Sequence, residues 1–76
     1  MSRGTIYYSK SEANRSTAAR LAWKYFEDYI KRNYPRNMLR SIYYDFSVKE
    51  WVGVRVMTCG ALSHVYACTS DIRKAS

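Results

Sequence analysis

Apolar and polar positions change period along this chain, and each change marks an element. Thr5-Ile6-Tyr7-Tyr8 is a β-branched and aromatic run between Gly4 and Ser9, which predicts a short first strand. Ser9-Lys10-Ser11-Glu12 then has the capping-box spacing, in which a hydroxyl and a carboxylate three residues apart each satisfy an N–H that the first helical turn leaves open. From Ser11 to about Asn33, Ala18, Ala19, Ala22, Tyr25, Phe26, Tyr29 and Ile30 recur at helical spacing. Thr17, Arg20, Lys24, Glu27, Asp28 and Lys31 fall opposite them, so one long amphipathic helix is predicted, with Trp23 at the border of its stripe. Lys31 and Arg32 suit the C-terminal end of the helix dipole, and Pro35 disfavours helical geometry at Tyr34, which stops the helix near Asn33.

Period two takes over beyond that point. Ile42, Tyr44, Phe46 and Val48 alternate with Ser41, Tyr43, Asp45 and Ser47, the pattern of a strand with one buried face. Lys49-Glu50 is expected to turn the chain into a second strand, in which Val52, Val54 and Val56 point inward and Trp51, Gly53, Arg55 and Met57 outward. Gly60 marks the next reversal. The inward face of the last strand, about Leu62 to Thr69, stays open, because His64, Tyr66 and Cys68 compete with Val65 and Ala67 for it. Ser70 to Ser76 is polar and reads as a frayed tail. The order is β-α-β-β-β, that of a single α+β domain with one long helix packed on one face of a mostly antiparallel sheet.

Composition narrows what such a domain can do. Seventy-six residues suffice for one core, and two Trp, two Phe and eight Tyr supply its bulk. Thirteen Lys and Arg against six Asp and Glu leave a net charge of +7, a surplus that attracts nucleic acid, an anionic membrane or an acidic protein surface. No membrane partner is expected, since no apolar run approaches the roughly 18 residues needed to span and the amphipathic stripe is wanted by the core. Met1-Ser2-Arg3-Gly4 leads straight into strand-like sequence, so no secretory signal is expected, and Asn14-Arg15-Ser16 is then a chance sequon. Cys59 and Cys68 fit a reducing cytoplasm as free packing thiols.

The strongest functional signal is uncompensated charge. Between Asp28 and Asp45 there is no acid, yet Lys31, Arg32, Arg36 and Arg40 are present. Lys31 and Arg32 can equally serve as helix-end cations paired at i,i+4 with Glu27 and Asp28, whereas Arg36 and Arg40 have no local partner. A second signal is the expected outer sheet face, which gathers Tyr7, Tyr43, Trp51, Arg55 and Met57 with His64 or Tyr66 nearby. Aromatics interleaved with Arg can stack bases while cations hold the backbone, and they serve equally as anchors for a protein partner or a homodimer. Arg15 and Arg20 offer a third, smaller cationic surface among small helix residues.

Catalysis has little behind it. Cys59 with His64 five residues on has no recognisable motif, and Asp45 and Glu50 read as hairpin-edge residues or partners of Arg55. Two Cys and one His do not make a four-ligand zinc site, and three glycines make no phosphate-cradling loop. The chain is therefore expected to be no enzyme and to carry no cofactor or metal.

Two functions follow. One is a stoichiometric inhibitor or adaptor that docks on an acidic or nucleic-acid-binding site of a larger host protein or nucleoprotein complex. The other is direct nucleic-acid binding through Arg36, Arg40, Lys31, Arg32 and Arg55, with stacking from Tyr43 and Trp51 and a supporting contact from Arg20. In size, charge and absence of motifs the chain resembles the small proteins that bacteriophages use against host machinery, anti-CRISPR proteins among them. That likeness rests on no matching residue and implies the inhibitor role, which places docking ahead of direct nucleic-acid binding.

Overall fold

The structure is a computed structural model and describes residues 5–75. It is an α+β domain: helices α1 (Lys10–Ala13) and α2 (Thr17–Asn33), strands β1 (Met38–Asp45), β2 (Glu50–Val56) and β3 (Leu62–Cys68), and a closing helix α3 (Thr69–Ala75). The strands form an antiparallel sheet in the order β1-β2-β3, with the helices packed on one face.

The expected first strand contracts to a single bridge. Tyr8 exchanges two backbone hydrogen bonds with Ile42, of 2.8 and 3.0 Å, and so covers part of the outer edge of β1. Ser9 caps α1 as its sequence requires: its hydroxyl accepts from the Glu12 N–H, and the Glu12 carboxylate accepts from the Ser9 N–H at 2.9 Å. Those bonds to Ser9 hold the Glu12 carboxyl below the usual carboxylate range.

The single long helix is broken. The chain turns at Asn14-Arg15-Ser16, where Ser16 adopts an extended conformation and its hydroxyl caps a new helix at the Ala19 N–H. Asn and Ser compete for the backbone with their own side chains, and here the local bond wins over continuous helical periodicity. The break lets Ala13 enter the core fully buried. Replacing Ser16 by alanine should lower stability by about 1 kcal/mol, readable as a drop of about 4–8 °C in Tm.

The buried stripe of α2 is Ala19, Ala22, Trp23, Phe26 and Ile30. Trp23 belongs to the core rather than to its border, while Ala18, expected inside, is exposed. The helix ends at Asn33, with Tyr34 outside helical geometry before Pro35. A turn closed by the Asn37 N–H on the Tyr34 carbonyl at 2.8 Å leads into β1.

β1 starts earlier and ends earlier than its alternation suggests. Asp45 accepts from the Ser47 N–H at 3.0 Å and from its hydroxyl at 2.6 Å, and this side-chain turn overrides the strand propensity of Phe46 and Val48. Both lie exposed in the 46–49 turn, which Lys49 closes with a φ of 56°; Glu50 already belongs to β2. At the next reversal the left-handed φ of 90° falls on Gly60, where a side chain would be strained.

The faces of β2 are the reverse of those expected. Gly53 meets the ring of Phe26, so Trp51, Gly53 and Arg55 face α2, while Val52, Val54 and Val56 face away. Both faces of β2 are apolar enough to be buried, so alternation alone could not choose between them. The closeness of α2 does: only the glycine leaves room for Phe26. On the neighbouring strands Ile42 and Tyr44, then Val65 and Ala67, join the same layer.

The expected tail is a helix over 69–75, with Ser76 outside the described residues. Ile72 of α3 is 3% exposed and seals the core beside α2. The seven residues TSDIRKA offer one large apolar side chain, too few for a periodic signal; the helix exists because a hollow beside α2 accepts Ile72.

Candidate functional site

Among the described residues no helix or strand packs over the sheet face turned away from the helices. Val52 and Val54 lie on it yet are buried: Val52 is flanked across the strands by Tyr43 and Tyr66, and Val54 by Ser41 and His64. Tyr7 packs on Tyr43 with ring centroids 4.7 Å apart. Burial, and then the closeness of Tyr66 and Tyr7, push the Tyr43 hydroxyl above the ordinary tyrosine range, so it remains a neutral hydrogen-bonding group. Tyr7, Met38, Leu62 and Tyr66 border this surface and are each more than half exposed.

At one end of the face a cleft of about 510 Å³ opens between Tyr7, Arg40, Ser41, Val54, Leu62 and His64. Arg40 reaches it because β1 bulges between Leu39 and Ser41, which shifts the register against β2 and leaves Arg40 as the extra residue. At the opposite end Asp45 and Glu50 sit directly across from one another. The hydroxyl and N–H of Ser47 hold the Asp45 carboxyl below the usual carboxylate range, which suits a turn-forming acceptor rather than a proton donor.

The other expected binding residues are not brought together here. Trp51 is 8% exposed and packs in the core against Tyr44 and Tyr8, with centroids 5.4 and 6.1 Å away, on the side of the sheet that faces the helices. Arg55 is used internally: its guanidinium lies 3.8 Å from the centre of the Tyr34 ring and donates to the Asn37 side chain. It clamps the turn before β1 rather than pairing with Asp45 or Glu50, and Arg36 stands exposed at the corner of that turn. Arg32 pairs with Asp28, four residues back, while Glu27 pairs with Lys10 rather than with Lys31, which is exposed. Arg20 lies exposed on α2, remote in sequence from the outer sheet face. Met57 lies beyond β2 in the turn, half-buried.

The cations therefore do not form one patch. Lys24, Lys31 and Arg32 rim a groove of about 460 Å³ between α2 and α3, together with Glu27 and Asp28 and over Leu21, Tyr25 and Ile72. Arg40 lies on the far side of the sheet, Lys49 in the first hairpin turn, and Arg73 and Lys74 on α3. Sequence reasoning identified Tyr7 and Tyr43 as outer-face candidates with His64 or Tyr66 nearby, and missed Leu62 and Met38, which the final registers place on that face.

Cys59 is exposed in the 57–61 turn rather than packed, and Cys68 is half-buried beside the Ser70 hydroxyl at 3.1 Å. The two thiols stand at opposite ends of β3 and are free. Among the described residues no cluster of three or more His, Cys, Asp or Glu could hold a metal ion, and no helix is long and apolar enough to cross a membrane. Comparison with models of known families, with curated proteins and with solved structures gives no match to this chain.

Proposed function

We propose that this chain is a small non-catalytic binding protein, a stoichiometric inhibitor or adaptor that docks through its outer sheet face on an acidic or nucleic-acid-binding site of a larger protein or nucleoprotein complex. The observation that carries this reading is the tyrosine-rich surface of Tyr7, Tyr43 and Tyr66 beside Val52, over which no element of the described residues packs, with Arg40 at its rim. Large aromatics beside an Arg on a rigid sheet are the residue types that anchor protein interfaces. The +7 charge, spread over the molecule, speeds encounter with an acidic target without having to form the contact itself. The free thiols of Cys59 and Cys68 favour the cytoplasm as the compartment.

The same geometry argues against direct nucleic-acid binding at this face. Trp51 and Arg55 are turned to the helices, Asp45 and Glu50 occupy one end, and among the described residues Arg40 alone of the Arg side chains borders the face to track a phosphate backbone. The two readings part in one experiment. A photo-crosslinking residue at position 66, introduced in the host cell, should trap one defined polypeptide, and Tyr43→Glu should abolish the product. Labelled single- and double-stranded DNA and RNA should show only weak binding at physiological salt. Micromolar or tighter nucleic-acid binding that salt and Arg36→Glu/Arg40→Glu both abolish, with no protein trapped, would overturn the docking reading.

A further inference from the structure

The two edges of the sheet are treated differently. On the β1 side, Tyr8 covers the edge with two backbone hydrogen bonds, and the bulge at Arg40 twists it and places a cation on it. Coverage, bulges and charges are the devices by which native sheets keep a strand edge from pairing with another chain. On the other side, β3 (LSHVYAC) has a strand neighbour on one side only. It contains no Lys, Arg, Asp, Glu or Pro, and its pairing with β2 is regular over all seven residues, without a bulge. The helix that follows it packs Ile72 into the core beside α2. Among the described residues no strand or bridge pairs with the outer edge of β3.

We propose that β3 is a self-pairing edge: two copies of the chain join antiparallel through β3 to make one continuous six-stranded sheet with a two-fold axis at Val65. Charge selects the occupant. β1 carries Arg40 and Asp45 and β2 carries Glu50 and Arg55, but β3 carries no charge, in a chain of net +7. An acidic strand would find no cation on β3 to face, whereas a second β3 matches it in length and brings no like charge across the new ladder. Centred on Val65, the pairing keeps each side chain on its own face, as an isologous interface requires. Val65 meets Val65 of the second copy and Ser63 meets Ala67 on the helix side; on the outer side His64 meets Tyr66, and Leu62 meets Cys68. Both outer faces then merge into one surface. The inference stands apart from the docking function and survives its failure.

Sedimentation equilibrium of the intact chain, from micromolar to millimolar protein, should show mass rising from monomer to dimer. His64→Lys/Tyr66→Lys sets like charges opposite one another in both cross-strand pairs and should weaken the dimer about tenfold or more. His64→Lys/Tyr66→Glu, with the same two positions changed, sets opposite charges there and should keep or strengthen it. Hydrogen exchange on the unaltered chain gives a reading that needs no variant: outward amides of β3 should gain protection with rising concentration while those of β1 do not. A chain that stays monomeric throughout, or a dimer that neither double variant alters and that leaves β3 exchange unchanged, would overturn the proposal.

Discussion

Trp51→Ala should lower the stability of the domain by about 3–5 kcal/mol, the range found when a buried aromatic is deleted and its cavity only partly refills. For a chain of this size the whole stability is about 4–11 kcal/mol, so much of the population would unfold at ambient temperature. The reason lies in the contacts of Trp51: 8% exposed, it packs edge-on against Tyr44 with centroids 5.4 Å apart and against Tyr8, the residue that ties the N-terminal segment to β1. Its loss would loosen both the core and that segment. Denaturant unfolding of the purified variant measures the effect. A ligand-stacking tryptophan would instead leave the midpoint nearly unchanged, and that result would return Trp51 to the surface.

Gly53→Ala should cost about 1–3 kcal/mol although it adds one methyl group, because a Cβ built there would lie 2.8 Å from Cγ of Phe26, whose ring is fully buried. Neither partner can yield easily: Gly53 is held in the middle of the sheet between Ile42 and Val65, and Phe26 is fixed on α2. Thermal melting of Gly53→Ala alone and of Gly53→Ala/Phe26→Leu separates this clash from a change in β propensity. The smaller side chain makes room, so the double variant should be more stable than the sum of the two single losses predicts. Strict additivity would mean that the ring is not what the methyl group meets.

These two residues also mark where local pattern stopped being informative. The α+β class, the cap at Ser9, the end of α2 before Pro35, the three strands of the meander and the reversal at Gly60 were all legible, because each rests on interactions within a few residues. The break at Ser16 and the early end of β1 at Asp45 were legible in principle. In both, a short polar side chain satisfies backbone groups locally and overrides a longer periodicity. Of the candidate site, Tyr7 and Tyr43 were read as outward, the last strand's pattern leaves the facing of His64 and Tyr66 open and its register with β2 decides it, and Trp51 and Arg55 were assigned to the wrong side of the sheet.

The sequence by itself determined the element types, the cationic surplus and the abundance of tyrosine, since these depend on composition and on neighbours along the chain. Only the tertiary structure decided which face of β2 meets α2, whether Arg55 is a ligand contact or a clamp on Tyr34, and whether residues 69–75 fold at all. The physical reason is common to the three. Alternation in a strand states that two faces differ without saying which is covered, and a short segment with one large apolar residue becomes a helix only when a distant surface accepts that residue. Such choices are made by packing between elements far apart in sequence, here Phe26 over Gly53 and Ile72 beside α2.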